Sequence, residues 1–412
     1  MPGLMPGVGH PIGGEVLDAR TRLPVGGATV VSGLGSTVTD ASGRFKLYGN
    51  LSSRELSVAR AGYTSITVGG EPFDPSREIT LTIDQQFPQN GTPKNRVIDL
   101  RGQVQAPAGQ NALVFLGSKA APVSNGQFAV QLESPVPGKI LTSVLAWGTI
   151  QGTYQADAAF DQHFSFTAFS YDILSWSLGN TYPEGMRRID TPLLVRQHVP
   201  LKPVQVNYTN RGAFSSVKTA IALDFGVAGS VPVALASASN QRIEVPAIPG
   251  LKYVVQGQAF DDSKRMSSTV SITTNDLTKA TFQLLSPPKV KTPASGAAEV
   301  GQRPTFSWEP VGQKGILYQL SLYECDPATD VCDPRPKWVC RTTDTEVTYP
   351  GFALSDVNGG ALRPDKKYTW SIRAVDLLDA TEAPTSRRDV STVKPYLVRK
   401  RESEAGGNSF TP

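Results

Sequence analysis

The sequence is poor in the residues and motifs that build reactive sites. Its 412 residues include three histidines and three cysteines, and no histidine has a His or acidic partner at a helical metal-binding spacing. The Gly-x-Ser-x-Gly elbow, the phosphate-binding glycine loop and the dinucleotide fingerprint are also missing. The enzyme classes that depend on those motifs are excluded. We therefore predict a protein that is not an enzyme and that carries no metal and no cofactor.

Charge of one sign and long apolar runs are scarce as well. Only 18% of the residues are charged and the net charge is +4, which is too weak a field to favour nucleic acid. No apolar run reaches the roughly 18 residues of a transmembrane helix, and residues 1–14 lack the pattern of an export signal. We expect no nucleic-acid partner and no transmembrane segment, and no export signal in the chain as given.

Glycine and proline, in contrast, are abundant and widely scattered. The 38 glycines and 32 prolines lie between short apolar runs, a pattern typical of many strands joined by many turns. At about 100 to 150 residues per domain, the length indicates three or four domains. The sequence predicts an all-β chain of tandem β-sandwiches of the immunoglobulin-like or prealbumin-like kind.

Four short motifs near the N-terminus occur in a fixed order. They are Gly-x-Val at 14–16, Pro-Val-x-Gly-Ala-x-Val at 24–30, Thr-Asp-x-x-Gly-x-Phe at 39–45 and Ala-Arg-Ala-Gly-Tyr at 59–63. Together they resemble the carboxypeptidase regulatory-like (prealbumin-like) family. The resemblance implies a β-sandwich over 13–88, after a flexible segment 1–12. It implies no peptidase, because the His-x-x-Glu zinc pair is absent and His163 and His198 are expected to be structural.

Two further segments carry related patterns. The order Gly-x-Val, Ala-x-Val, Gly-x-Phe returns at 102–104, 112–114 and 126–128, and residues 130–138 match 243–250. We therefore predict a second β-sandwich over 96–200 and a third over 201–288. The second contains an aromatic-rich insertion at 164–199, which we expect to form extra strands and a long loop.

The pattern changes after the proline-rich stretch 286–293. An isolated tryptophan at Trp308 and the alternating run Tyr-Thr-Trp-Ser-Ile-Arg-Ala at 368–374 resemble a fibronectin type III domain. This resemblance implies a fourth sandwich over 289–395. Residues 396–412 are polar and of mixed charge, and we expect them to be a solvated tail.

All three cysteines fall within the last predicted sandwich. Cys325 and Cys332 flank a short loop, which favours a disulfide between them, whereas Cys340 shares a strand face with Trp338 and is expected to point inward. Because the count is odd, one cysteine stays unpaired. A disulfide would place the mature chain outside the reducing cytosol.

The aromatic-rich insertion offers the candidate ligand site. Trp176, Tyr182 and Tyr171 could stack on sugar rings, whereas Trp147 lies in an apolar strand and is expected to be core. Acidic residues in the same region keep a glycosidase open as a less favoured alternative. These acids are Asp157, Asp161, Asp172 and Glu184.

These observations favour an extracytoplasmic structural or adhesion protein of a bacterial cell envelope or surface assembly. Its expected partners are other envelope or surface proteins, which would contact strand edges and loops of the sandwiches. The first alternative is a carbohydrate-binding accessory protein with a polysaccharide partner. The second is a polysaccharide hydrolase.

Overall fold

A computed structural model describes the greater part of the chain. The described residues are 12–19, 22–33, 35–48, 55–70, 78–85, 96–105, 112–116, 119–134, 138–148, 168–178, 185–188, 193–194, 197–198, 200–224, 230–236, 238, 240–248, 250–275, 277–312, 316–350, 361–376 and 399–412. Within these ranges the regular structure is strand and there is no helix. The predicted all-β sandwich class is confirmed.

The first sandwich has seven strands in two sheets. They are β1 (Ile12–Asp18), β2 (Thr29–Ser32), β3 (Gly35–Val38), β4 (Arg44–Leu47), β5 (Leu56–Ala59), β6 (Ser65–Val68) and β7 (Ile79–Ile83). One sheet has the order β4-β1-β7, and the other contains β3-β2-β5-β6. Alternate residues of β1 are buried, as a strand with one face on a core requires. Ile12 is one of them, so it belongs to the sandwich and not to a flexible segment 1–12.

The second group of strands lies between residues 96 and 198. It comprises β8 (Arg96–Gln105), β9 (Ala112–Leu116), β10 (Lys119–Pro122), β11 (Gln127–Ser134), β12 (Gly138–Gly148), β13 (Ala168–Leu178), β14 (Gly185–Arg188), β15 (Leu193–Leu194) and β16 (Gln197–His198). Its sheets have the orders β10-β9-β12-β13-β16 and β11-β8-β14, and β15 also pairs with β8. The aromatic-rich stretch supplies β13, which pairs with β12 along its whole length.

The third sandwich follows directly. Its strands are β17 (Leu201–Thr209), β18 (Ser216–Asp224), β19 (Ser230–Ala236), β20 (Gln241–Pro246), β21 (Lys252–Phe260), β22 (Met266–Thr274) and β23 (Lys279–Gln283). A sheet of order β20-β17-β23 faces the strands β19-β18-β21-β22. Between them lies an apolar core that includes Val204, Ile221, Val255 and Phe282.

The fourth sandwich closes around four large aromatic side chains. Its strands are β24 (Val290–Thr292), β25 (Thr305–Trp308), β26 (Leu317–Cys325), β27 (Trp338–Thr342), β28 (Glu346–Thr348), β29 (Lys367–Asp376) and β30 (Arg399–Phe410). Three of them, in the order β24-β25-β28, face β30-β29-β26-β27. The core contains Phe306, Trp338, Trp370 and Phe410, with ring centroids 5.1 to 5.8 Å from that of Phe306.

Strand β30 corrects the expected solvated tail at 396–412. Ser403, Ala405 and Phe410 are buried, and Ala405 and Phe410 belong to the core of the fourth sandwich. An ion pair between Arg373 and Glu404, with a 2.9 Å Nη2 to Oε2 distance, also joins β30 to β29. The tail expectation was wrong because it weighed charge alone: the segment pairs with β22 on one side and β29 on the other.

Three of the four sandwiches share one continuous sheet. Its twelve strands run in the order β19-β18-β21-β22-β30-β29-β26-β27-β6-β5-β2-β3. The fourth sandwich therefore lies in the middle, with the third hydrogen-bonded to one edge of its sheet and the first to the other. The alternation of apolar and polar residues along each strand does not predict which sandwiches pair with each other.

We predict that Phe410→Ala lowers the free energy of unfolding by about 3 to 5 kcal/mol, the usual cost of deleting a large buried aromatic ring. Phe410 is 1% exposed and packs on Tyr368 and Phe306. Urea denaturation followed by tryptophan fluorescence measures the loss. The control is Tyr48→Ala, because Tyr48 is 63% exposed and its loss is expected to cost under about 0.5 kcal/mol. Equal effects of the two variants would contradict a packed β30.

Candidate functional site

The first junction between sandwiches joins β6 to β27 in parallel. Ser65 is opposite Trp338, and the register continues to Val68 opposite Arg341. The Gly69 amide donates to the Arg341 carbonyl at 2.8 Å, and the Thr64 hydroxyl donates to the Pro336 carbonyl at 2.9 Å. We call this contact the parallel seam.

Side chains at the parallel seam are interlocked. The Trp338 indole N–H donates to the Thr67 hydroxyl at 2.9 Å, and that hydroxyl also bonds the Ser57 hydroxyl at 2.9 Å. Val339, from the fourth sandwich, packs in the apolar core of the first. The buried polar groups are thus paired, which avoids the cost of burying them alone.

The second junction joins β22 to β30 in antiparallel register, from Met266 opposite Ala405 to Ile272 opposite Arg399. We call it the antiparallel seam. Ser268 and Ser403 are directly opposite each other and both are 1% exposed. The Leu285 amide donates to the Ser268 hydroxyl at 3.1 Å, and the Ser403 hydroxyl donates to the Ser286 carbonyl at 2.8 Å. Two serines therefore fix the linker between the third and fourth sandwiches.

A groove of about 490 Å³ opens beside this linker, and we call it the linker groove. Two turns of the third sandwich, the linker and β30 form its walls. Its apolar lining includes Met266, Pro287 and Val290, and its basic lining residues are Arg211, Arg265 and Lys289. It therefore combines an apolar surface with a positive rim.

Some polar groups of the linker groove have hydrogen-bond partners and others do not. Hydrogen bonds from the Ser263 hydroxyl and the Met266 amide lower the pKa of Asp261, the acidic lining residue, so its carboxylate is occupied by its own turn. The Asn408 side-chain NH₂ is buried, and no described residue accepts a hydrogen bond from it. A group that accepts hydrogen bonds would therefore suit this groove.

A second notable surface is the loop that follows β26. Cys325 and Cys332 are joined by a disulfide across it, and Cys340 is free and buried. Burial raises the pKa of the Cys340 thiol, which makes it a poor nucleophile. We call residues 326–331 the disulfide loop; all six are exposed, and Val331 is 67% exposed.

The candidate sugar-stacking residues are only partly located. Tyr171 and Trp176 lie on β13, opposite Leu145 and Ile140 of β12, and Trp147 lies on β12 opposite Phe169. Tyr182 lies outside the described residues. The proposed ligand role of these residues stays a prediction.

The acidic and histidine candidates are also only partly located. Asp172 lies on β13 and His198 on β16, whereas His10, His163, Asp157, Asp161 and Glu184 lie outside the described residues. Among the side chains that the structure describes, no cluster of three His, Cys, Asp or Glu could hold a metal. No helix in those same parts is long and apolar enough to cross a membrane.

The Gly70→Ala variant tests the parallel seam. Gly70 has a φ of +93°, and a Cβ there would lie 2.5 Å from the Thr343 backbone nitrogen. We expect it to cost about 1 kcal/mol for backbone strain and a further 1 to 3 kcal/mol for the clash, measured by urea denaturation. The matched control is Gly301→Ala, because Gly301 has φ +88° and a Cβ there would have no atom within 4 Å. Equal losses in both variants would contradict close packing at this seam.

Thiol titration tests the cysteine arrangement. The denatured, unreduced chain is expected to show one reactive thiol, that of Cys340, and the reduced chain three. In the folded protein Cys340 is expected to react slowly with Ellman's reagent, because it is buried. Three reactive thiols before reduction would rule out the disulfide.

Comparison with known proteins finds only weak similarity. No family model and no curated protein matches the chain. A solved structure described as a "putative adhesin" from Bacteroides ovatus is similar at 11% identity and a TM-score of 0.15, over 43% of this chain and 82% of that one. The TIE protein of Bacillus anthracis is similar at 8% identity and a TM-score of 0.15, over 67% of this chain and 51% of that one. These scores carry no argument about fold or function.

Proposed function

We propose that the chain is a non-enzymatic scaffold of a bacterial cell envelope or surface assembly, which acts through protein contacts outside the cytosol. The observation that carries this proposal is the twelve-stranded sheet shared by three sandwiches. Tandem domains usually move relative to one another unless their interface is extensive. Here both junctions consist of paired strands, which suits a rigid spacer.

The proposal includes the two family resemblances. We propose that the first sandwich belongs to the carboxypeptidase regulatory-like family, with its motifs at 14–16, 24–30, 39–45 and 59–63. We propose that the fourth is a fibronectin type III domain. Its three strands facing four and its buried Trp308 and Trp370 support this assignment.

The compartment follows from cysteine chemistry. A disulfide between Cys325 and Cys332 persists in oxidising compartments and is rare in the cytosol of ordinary bacteria. The disulfide supports a place on the cell surface, in the periplasm or in secreted material.

Labelling of intact cells tests the proposal. A membrane-impermeant biotin reagent should label the chain before lysis, while a cytosolic control protein stays unlabelled. Chemical cross-linking on the same cells should join it to envelope proteins, and Gly70→Ala should reduce these adducts whereas Gly301→Ala, outside the linker groove, should not.

Three results would contradict this function. Labelling that requires rupture of the cytoplasmic membrane, with no chain in the periplasmic fraction or the medium, would place the chain in the cytosol. Binding to a surface polysaccharide that is lost in Trp176→Ala, without protein adducts, would favour the carbohydrate-binding alternative. Hydrolysis of such a polysaccharide that disappears on replacing Asp161 or Glu184 would make the chain an enzyme.

A further inference from the structure

The disulfide loop is acidic, exposed and held in one shape. The stretch 325–334 contains three aspartates and no basic residue. The Asp326 amide donates to the Val331 carbonyl and the Asp330 amide to the Asp326 carbonyl, both at 2.9 Å. With the disulfide, these bonds fix the loop before any partner binds, which lowers the entropy cost of docking.

The tip of the disulfide loop exposes an acidic and an apolar side chain at consecutive positions. Asp330 has φ +59° and a side chain that is 70% exposed, and the neighbouring Val331 is 67% exposed. The Asp330 carboxylate is paired with Lys367 at 2.6 Å on one oxygen. Because a carboxylate has about four lone-pair sites, it can accept further hydrogen bonds from a partner.

The linker groove has the opposite character. Three basic residues and one acidic residue line it, and that acid is bonded within its own turn. Met266 and Pro287 offer apolar surface beside the basic residues. The groove therefore offers what a carboxylate next to a small aliphatic side chain requires.

We propose that the disulfide loop of one copy docks in the linker groove of a second copy. This inference rests on the proposed function as a contact scaffold and names a partner for it. The Asp330 carboxylate of one copy faces Arg265 of the other, and Val331 packs on Met266 and Pro287. Two different surfaces are used, so the contact is heterologous.

The affinity of such a contact is low in solution. A six-residue loop in a groove of about 490 Å³ falls in the smallest class of protein interfaces, under about 1,200 Å² of buried surface. On a crowded surface, where many copies are held together, weak contacts of this kind add up.

Sedimentation equilibrium of the purified full chain tests the proposal. Between about 10 µM and 1 mM the average mass should rise above that of one chain, in the range of a weak contact, and added salt should reduce the rise. Asp330→Lys and Arg265→Glu should each weaken association at least about tenfold, because each places like charges together. The double variant should recover most of the association, because it restores an opposite pair.

The matched control is Asn240→Lys, which also places a lysine at a positive φ, of 58°, on an exposed turn outside the groove. Circular dichroism checks that all variants are folded. A single-chain mass at every concentration, or a double variant no better than the single ones, overturns the proposal. Binding of the groove to an acidic peptide of another protein, without self-association, does so too. Surface labelling of intact cells does not depend on the loop, so the failure of this contact is distinguishable from failure of the scaffold function.

Discussion

The edge of a β-sheet carries a row of backbone amide and carbonyl groups that must bond to water or to another strand. In this protein the fourth sandwich uses both edges of its larger sheet to bond its neighbours. Strand β27 meets β6 of the first sandwich, and β30 meets β22 of the third. The arrangement of three sandwiches depends on these two ladders of backbone hydrogen bonds.

Side chains at the seams follow from this constraint. Small hydroxyl residues lie where the sheets join, and they bond groups of the neighbouring sandwich or linker. Thr67 links Ser57 to Trp338, and Ser268 and Ser403 hold the linker. Apolar residues cross the junctions too: Val339 enters the core of the first sandwich and Leu285 that of the fourth. Each sandwich therefore completes part of its neighbour.

The sequence predicts the contacts between residues that are close in the chain better than those between distant segments. Alternation within one strand, as in β1 or at 368–374, is a local property and revealed the strands and the all-β class. Pairing between sandwiches is set by edges distant in sequence, and no local pattern in β6 or β27 indicates it. In Arg399–Phe410 the residues Ser403, Ala405 and Phe410 are buried, but a register shift against β29 interrupts strict alternation, and the dense charge of 399–404 favoured a tail. The sequence did not predict the linker groove either. Its lining residues, near positions 210, 265, 287 and 408, are distant in sequence and meet only after folding.

The proposed function depends on the way in which the sandwiches are joined. The shared sheet of three sandwiches holds both the disulfide loop and the linker groove. Partners that bind at these two surfaces are therefore held at a fixed distance and orientation. A frame of this kind suits assembly, in which geometry matters more than the strength of any single contact.

Amide hydrogen exchange across the two seams tests the central claim most directly. If the three sandwiches form one frame, seam amides such as that of Gly69, bonded to Arg341, exchange as slowly as amides between β18 and β21 inside the third sandwich. Both sets then open only with global unfolding. Seam amides that exchange about a hundredfold faster than the interior set would show that the sandwiches separate in solution, and would contradict the account.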